Sequence, residues 1–223
     1  MDAERIASLY RLLLAAYGPQ GWWPADTSWE VCVGAILTQR VAWRNAQAAL
    51  EGLRRSKILA PAALASAPET AVAEAIRPAL FYHSKAAKLK DLARVVVTRW
   101  GGDVTRLRAE SPDTLREALL GIHGVGSETA DAILVYVAHR PAFIADRYAL
   151  RLFERLGWIP ADTGYEAVRA AVMAAWAADA DAYGELHALI VRHGKERCRP
   201  KPLCSGCPLA SLCSLPERSG GAT

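Results

Sequence analysis

Cysteine is nearly absent from most of this chain. Of five cysteines in 223 residues, only Cys32 lies before residue 198. With one distant odd cysteine, a disulfide scaffold is the poorer reading. Long apolar runs are also missing. The longest, Ala170–Ala178, is mostly alanine and falls far short of the ~20 residues that span a bilayer, so no membrane is expected. No segment alternates apolar and polar residues as a half-buried strand does, and there is no repeat or low-complexity linker. The opening residues Met1-Asp2-Ala3-Glu4-Arg5 put acids where a secretory leader is basic, which predicts no signal peptide and a cytosolic chain with reduced thiols. Charge of a single sign is lacking too. The net charge is +4 with a pI of 8.9, mildly basic and compatible with a nucleic-acid partner without demanding one. A hydrophobic content of 52% excludes disorder.

What is present is helical period almost throughout. Ile6, Leu9, Leu12, Leu13 and Leu14 form a stripe that Gly18-Pro19-Gln20-Gly21 ends. Helices are predicted from about Ser28 to Thr38 and over Ala42–Leu53. Ser84–Trp100 reads as one basic amphipathic helix with Lys85, Lys88, Lys90 and Arg94 outward, stopped by Gly101-Gly102. Ser111-Pro112 is a helix start, with Ser111 as N-cap and proline in the first turn. Cys32 sits in an apolar helix and is most simply core, and so is Trp29. The chain is predicted to be all-α.

The other four cysteines, Cys198, Cys204, Cys207 and Cys213, are spaced C-x5-C-x2-C-x5-C. Four thiolates in so short a run suit a metal centre. Zinc prefers two C-x2-C knuckles and this run has one; a [4Fe–4S] cube needs four thiolates and tolerates wider loops. Lys195, Arg197, Arg199 and Lys201 stud the same stretch, with Glu196 the one acid among them, a plausible surface for phosphates.

Two further features carry chemistry. In Leu120-Gly121-Ile122-His123-Gly124-Val125-Gly126-Ser127-Glu128, a glycine hairpin joins two helices. Gly124 and Gly126 allow a tight turn and let an anion approach backbone N–H groups, and the helix from Ser127 points its positive end the same way. An ordinary helix–turn–helix corner has the same look, but Leu119, Leu120, Ile122 and Val125 bracket these glycines with apolar residues. Eighteen residues after Glu128, Asp146 opens an amphipathic helix. It is either a plain N-cap or a carboxylate aimed into a cleft.

Hairpin, aspartate and four-cysteine run, in this order, resemble the endonuclease III family of helix-hairpin-helix DNA glycosylases over essentially the whole chain. The resemblance implies a two-domain all-α fold with a cleft and a C-terminal [4Fe–4S] cluster loop. Residues 1–27 and 141–223 would form the cluster-bearing domain, and residues 28–140 a six-helix barrel carrying the hairpin. The cluster ligands would be Cys198, Cys204, Cys207 and Cys213, although the first loop is one residue shorter than the family's usual six. Asp146 would be catalytic. Gln39 matches the residue that fills the gap left by a flipped base. Phe81, in Leu80-Phe81-Tyr82-His83-Ser84-Lys85, would be a second wedge, with His83 and Lys85 beside it; its other reading is a core aromatic at a helix start. Gly124, Val125, Gly126 and Ser127 would meet DNA phosphates.

The hairpin departs from endonuclease III at one position. Where that family has a lysine nucleophile, this chain has Glu128, and a carboxylate cannot form a Schiff base. Gly21-Trp22-Trp23-Pro24, Trp29–Gln39, Glu128–Leu134 and His193-Gly194-Lys195 are similar to the endonuclease III-like methylpurine DNA glycosylases. That resemblance implies a base pocket of Trp22, Trp23, Trp43, Glu128 and Lys195. Lys195 is equally read as a cation at a helix C-terminus. The expected function is monofunctional excision of 3-methyladenine and 7-methylguanine from double-stranded DNA by a monomeric, cytoplasmic, nucleoid-associated enzyme. The alternatives are an oxidised-pyrimidine glycosylase/AP lyase and a non-catalytic damage-binding module.

Overall fold

The computed structural model describes residues 1–214. Every regular element among them is helical. They divide into two compact units, residues 1–22 with 141 onward, and residues 23–140. Trp23 to Thr27, assigned from sequence to the first unit, belong to the second.

The first unit holds α1 (Ala3–Tyr17), α9 (Arg147–Arg155), α10 (Tyr165–Ala175) and α11 (Ala180–Glu196). Asp2 caps α1 by accepting the Arg5 amide at 2.9 Å, and Gly18 ends it at φ +67°. Ile6, Leu9 and Leu13 of α1 pack into one core with Leu152 and Phe153 of α9, Val168 and Val172 of α10, and Leu186, Leu189 and Ile190 of α11. Phe143 stacks on Phe153 at 5.8 Å. Burial of such side chains contributes about 1.5–3 kcal/mol each.

The second unit holds α2 (Ser28–Leu37), α3 (Trp43–Arg55), α4 (Pro61–Ser66), α5 (Glu69–Ala75), α6 (Tyr82–Trp100), α7 (Pro112–Leu120) and α8 (Ser127–Tyr136). Ala67 and Pro68 take extended backbone and separate α4 from α5. Helix α2 is the axis: every residue from Trp29 to Leu37 is buried, and it packs on α3, α6 and α8. A helix buried all round needs no amphipathic stripe. Cys32 and Trp29 lie in this core. Gly52 of α3 is there for close approach, since a Cβ would stand 2.0 Å from the Ala75 carbonyl oxygen. Ser111 caps α7, and Arg116 ties α7 to α8 through the fully buried Asp131, Nε to Oδ1 at 2.9 Å.

Helix α6 corrects the sequence reading in two ways. It begins at Tyr82, after Leu80 and Phe81, both left-handed at φ +51° and +47°, a conformation costly for such residues. And it is not a lysine-out helix: Lys85 is 2% exposed and Lys90 6%. The Lys90 ammonium donates to the carbonyls of Ala65 and Ala67, covering the C-terminal end of α4. Gly101 ends α6 at φ +65°, as the sequence predicts.

Candidate active site

The first unit gathers one group of the expected site residues around Asp146. The buried stretch Ala142–Ala145 leads to Asp146, the N-cap of α9. Its Oδ1 accepts the amides of both Tyr148 and Ala149 at 2.9 Å. The plain cap is therefore present, and it uses one oxygen. The other, Oδ2, lies 3.8 Å from Nε2 of His187 on α11. Both residues are nearly sealed from solvent. His187 also meets the Trp22 ring edge-on, centroids 5.5 Å apart, and Lys195 holds its ammonium 5.9 Å from the Trp22 ring centroid. Lys195 sits in the last turn of α11, so the helix-terminus cation and the tryptophan neighbour are one arrangement. Between them, Gly194 is required: a Cβ there would meet Tyr148 Cδ1 at 2.5 Å. His187 was not singled out from sequence, because nothing local separates it from a core histidine.

The second unit holds a separate aromatic cluster. Trp23 meets Trp43 edge-on at 5.8 Å and Tyr136 at 5.4 Å. Gly34 makes room for the two indoles, since a Cβ would stand 3.3 Å from Trp23 Nε1 and 3.6 Å from Trp43. Tyr136, at the end of α8, is a member that the sequence reading missed. Glu128 is exposed in the first turn of α8, where an acid suits the helix N-terminus.

The hairpin is built as expected, with a division of labour between its glycines. Gly124 has φ +81° and its missing Cβ would collide with the Lys88 side chain at 2.2 Å. Gly126 is extended at φ −93°, and a Cβ there would meet nothing. It needs no special conformation; it leaves the N-terminus of α8 uncovered. Leu119, Ile122 and Val125 anchor the hairpin, whereas Leu120 is 38% exposed and does not. Gln39 lies against this loop. Its Nε2 donates to Gly124 O at 3.1 Å and Thr129 Oγ1 at 3.2 Å, and its Oε1 accepts from Lys88 Nζ at 2.9 Å.

Phe81 is 62% exposed and Leu80 53%, which removes the core reading of Phe81. His83 is exposed, its ring 4.5 Å from that of Tyr82. Lys85 is a correction: it is not presented for DNA. Its ammonium donates to Leu37 O at 2.8 Å and Ala79 O at 2.7 Å, tying the end of α2 to the turn before Leu80. Burial, and secondarily Lys88, pushes its ammonium down to about 8.

Cys198, Cys204, Cys207 and Cys213 line one pocket with Leu152, Leu156 and Leu209. Among the described residues, no three His, Cys, Asp or Glu side chains gather as around a single ion. Helix α9 holds the loop: Arg155 Nη1 donates to Cys198 Sγ at 3.3 Å, and Arg151 to the carbonyls of Cys198 and Gly194 at 2.9 and 3.0 Å. His193 stands behind Cys207, Nε2 to Sγ 3.9 Å, with Tyr17 at 2.8 Å from its Nδ1. Burial, then Arg197, pushes His193 down to about 4.

Comparison with known proteins agrees with this layout. Residues 33–178 match the model of the HhH-GPD superfamily base excision DNA repair protein. A Methanocaldococcus jannaschii protein provisionally named as a DNA repair glycosylase is 41% identical over 94% of this chain and 96% of its own length. Endonuclease III of Thermotoga maritima is 30% identical, covering 86% and 84%. Among solved structures, the H. pylori 3-methyladenine DNA glycosylase bound to 1,N6-ethenoadenine superposes with a TM-score of 0.72 at 26% identity, over 88% of this chain and 98% of that one. A non-covalent endonuclease III–DNA complex, 19% identical, shares the fold at a TM-score of 0.79 over 96% of each chain. The chain therefore belongs to the HhH-GPD superfamily of base excision DNA repair proteins, among its endonuclease III-like DNA glycosylases.

Proposed function

We propose that this glycosylase is monofunctional and releases alkylated purines, N3-methyladenine and N7-methylguanine, from duplex DNA after flipping them from the stack. The observation that carries the reading is the edge-on cluster of Trp23, Trp43 and Tyr136 around Gly34. Indole and phenol faces attract a cationic base through the ring quadrupole. The similarity to a 3-methyladenine DNA glycosylase supports the same substrate class.

A methylated purine carries its positive charge on the base, so its glycosidic bond is weakened before the enzyme acts. Little leaving-group acid is needed. In the reaction proposed, the N-glycosidic electron pair leaves with the base, which becomes neutral, and the sugar passes through an oxocarbenium-like state. A water oxygen bonds to C1′ and its proton passes to Asp146. Oδ1 of Asp146 is held by two amides, which fixes the carboxylate, and Oδ2 acts on the sugar cation and the water. Glu128 stands where a lyase of this family has its amine, so no Schiff base forms. Gln39 fills the vacated stack and Phe81 wedges the partner strand. Gly124 to Ser127 grip phosphate through backbone amides.

Cys198, Cys204, Cys207 and Cys213 hold a [4Fe–4S] cluster in this reading. When bound, such a cluster is an electron-transfer centre and staples its loop. The residues fit it, because four thiols face one apolar hollow and Arg155 offsets thiolate charge. The loop then displays Arg199 and Lys201, and the end of α11 displays Lys195, all exposed, toward DNA phosphate.

Chromatography of bases released from methylated genomic DNA tests the substrate. Release of 3-methyladenine with no borohydride-trapped protein–DNA adduct is expected. Release of oxidised pyrimidines with a trapped adduct would replace this reading by the lyase one.

A further inference from the structure

We infer that Lys88 is a positioning residue for the gap-filling arm: it joins Gln39 to the phosphate-gripping hairpin so that the two act as one preformed unit. The inference rests on the reading of Gln39 as the residue that fills the vacated stack.

Three observations carry it. Lys88 Nζ donates to Gln39 Oε1 at 2.9 Å, across 49 residues of sequence. The methylene stem of the same lysine lies against Gly124, close enough that a Cβ would stand 2.2 Å from its Cγ, 2.4 Å from Cδ and 2.8 Å from Cε. On the other side of the amide, Gln39 Nε2 donates to Gly124 O and Thr129 Oγ1. The amide orientation is thus decided from both ends, because only its oxygen accepts from an ammonium and only its nitrogen donates to a carbonyl. Thr129 belongs to α8 and is buried, so the anchor on that side is rigid. Lys88 itself is half-buried on α6, between two buried neighbours in the helix, Lys85 and Leu89.

A free glutamine must give up three side-chain torsions when it enters DNA, and that ordering weakens association. Here the torsions are set before DNA arrives, by contacts to the loop that meets the phosphates. Arg40, the next residue, is left-handed at φ +60°. An interaction that prepares a stack-filling residue matters for DNA with a vacated position and not for intact duplex. The expected signature of Lys88 is discrimination between the two, not affinity as such.

The experiment measures Kd for a duplex with a tetrahydrofuran abasic analogue and for the same duplex undamaged. The proteins are wild type, Lys88→Met, Gln39→Ala and the double variant, with Lys88→Arg as rescue. Methionine keeps the stem over Gly124 and removes the ammonium. Lys88→Met is expected to lower the ratio of the two affinities roughly two- to tenfold, to leave the thermal midpoint near wild type, and to add nothing to Gln39→Ala. Lys88→Arg should recover most of the ratio. Equal loss on both duplexes with a shallower salt dependence would make Lys88 an ordinary phosphate cation and overturn the inference. So would a Lys88→Met effect that persists in full without Gln39. An unchanged ratio in Gln39→Ala would instead overturn the gap-filling reading of Gln39 itself.

Discussion

Asp146 and His187 face each other inside the first unit, carboxylate Oδ2 to imidazole Nε2 at 3.8 Å, while the other carboxylate oxygen is fixed by the amides of Tyr148 and Ala149. One side chain thereby keeps its structural duty on one oxygen and leaves the other for the chemistry proposed for it. Asp146→Asn keeps an oxygen for the cap and removes the carboxylate. It should fold like wild type, bind abasic-analogue DNA, and lose single-turnover excision by roughly 10²–10⁴-fold. Asp146→Ala should lose the same activity and in addition about 1 kcal/mol of stability, because the cap goes with it. Urea denaturation and excision assays on both variants check this; wild-type-like excision by the asparagine variant would remove Asp146 from the chemistry.

Gly126 and Gly194 offer a contrast between two glycines that look alike in sequence. Gly126 faces open space and Gly194 faces Tyr148. Gly126→Val should cost up to about 1 kcal/mol, because valine is a poorer N-cap for α8, and should weaken binding to all duplexes alike, since its side chain would occupy the open space proposed for DNA phosphate. Gly194→Ala should cost about 1–3 kcal/mol by pushing α11 off α9 and should slow excision, because Tyr148 lies two residues after Asp146. Sequence-dependent binding loss in the first variant, or unaltered stability in the second, would contradict the assignments.

Lys85 makes a pH prediction whose sign follows from its depressed value. In the folded chain its ammonium titrates at about 8, below the ordinary 10.5, so between those values the unfolded chain binds the extra proton. The burial penalty is present in full below pH 8 and disappears above pH 10.5. The stability of wild type relative to Lys85→Met should therefore rise as pH climbs from 8 to 10.5, by an amount on the order of 3 kcal/mol at most. The methionine variant is less stable throughout, since the carbonyls of Leu37 and Ala79 lose their donor. Chemical denaturation of both proteins across that range is the measurement. A constant difference would show that Lys85 does not titrate there.

Local signals in the sequence were enough for several helix ends, though not for the start of α6 at Tyr82. Ser111 with Pro112, and Gly101 after Trp100, act within one turn of themselves, so their chemistry is written where it operates. The period reading of α6 failed at Lys85 and Lys90 because it sends every charge outward. What draws those lysines in is a set of bare carbonyls at Leu37, Ala79, Ala65 and Ala67, whose position is a tertiary fact. The same limit hid His187 beside Asp146, Tyr136 beside Trp23, Arg155 beside Cys198 and Lys88 beside Gln39. Each partner is remote in sequence, and histidine, tyrosine or a helical cation has an ordinary role that looks the same until the fold is known. The hairpin turn was legible because the spacing of its glycines is itself the constraint.

Trp43 provides the sharpest test of substrate class. It begins α3, is half-buried, and meets Trp23 edge-on beside Gly34. Trp43→Ala removes one aromatic face beside Gly34 and leaves the carboxylate of Asp146 in place. Loss of that face should slow excision of cationic 3-methyladenine roughly tenfold, the equivalent of about 1.4 kcal/mol and within the range of a partly desolvated cation–π contact. Abasic-analogue binding should stay close to wild type, because no base occupies the pocket there. Excision of a neutral substrate, such as hypoxanthine if it is released at all, should fall less than that of the cation, since it retains stacking with the remaining rings but has no charge to lose. Single-turnover rates on the two substrates and the abasic Kd decide it. Equal slowing on both would assign Trp43 a packing role, and no slowing on either would place the flipped base elsewhere and end the alkylpurine reading.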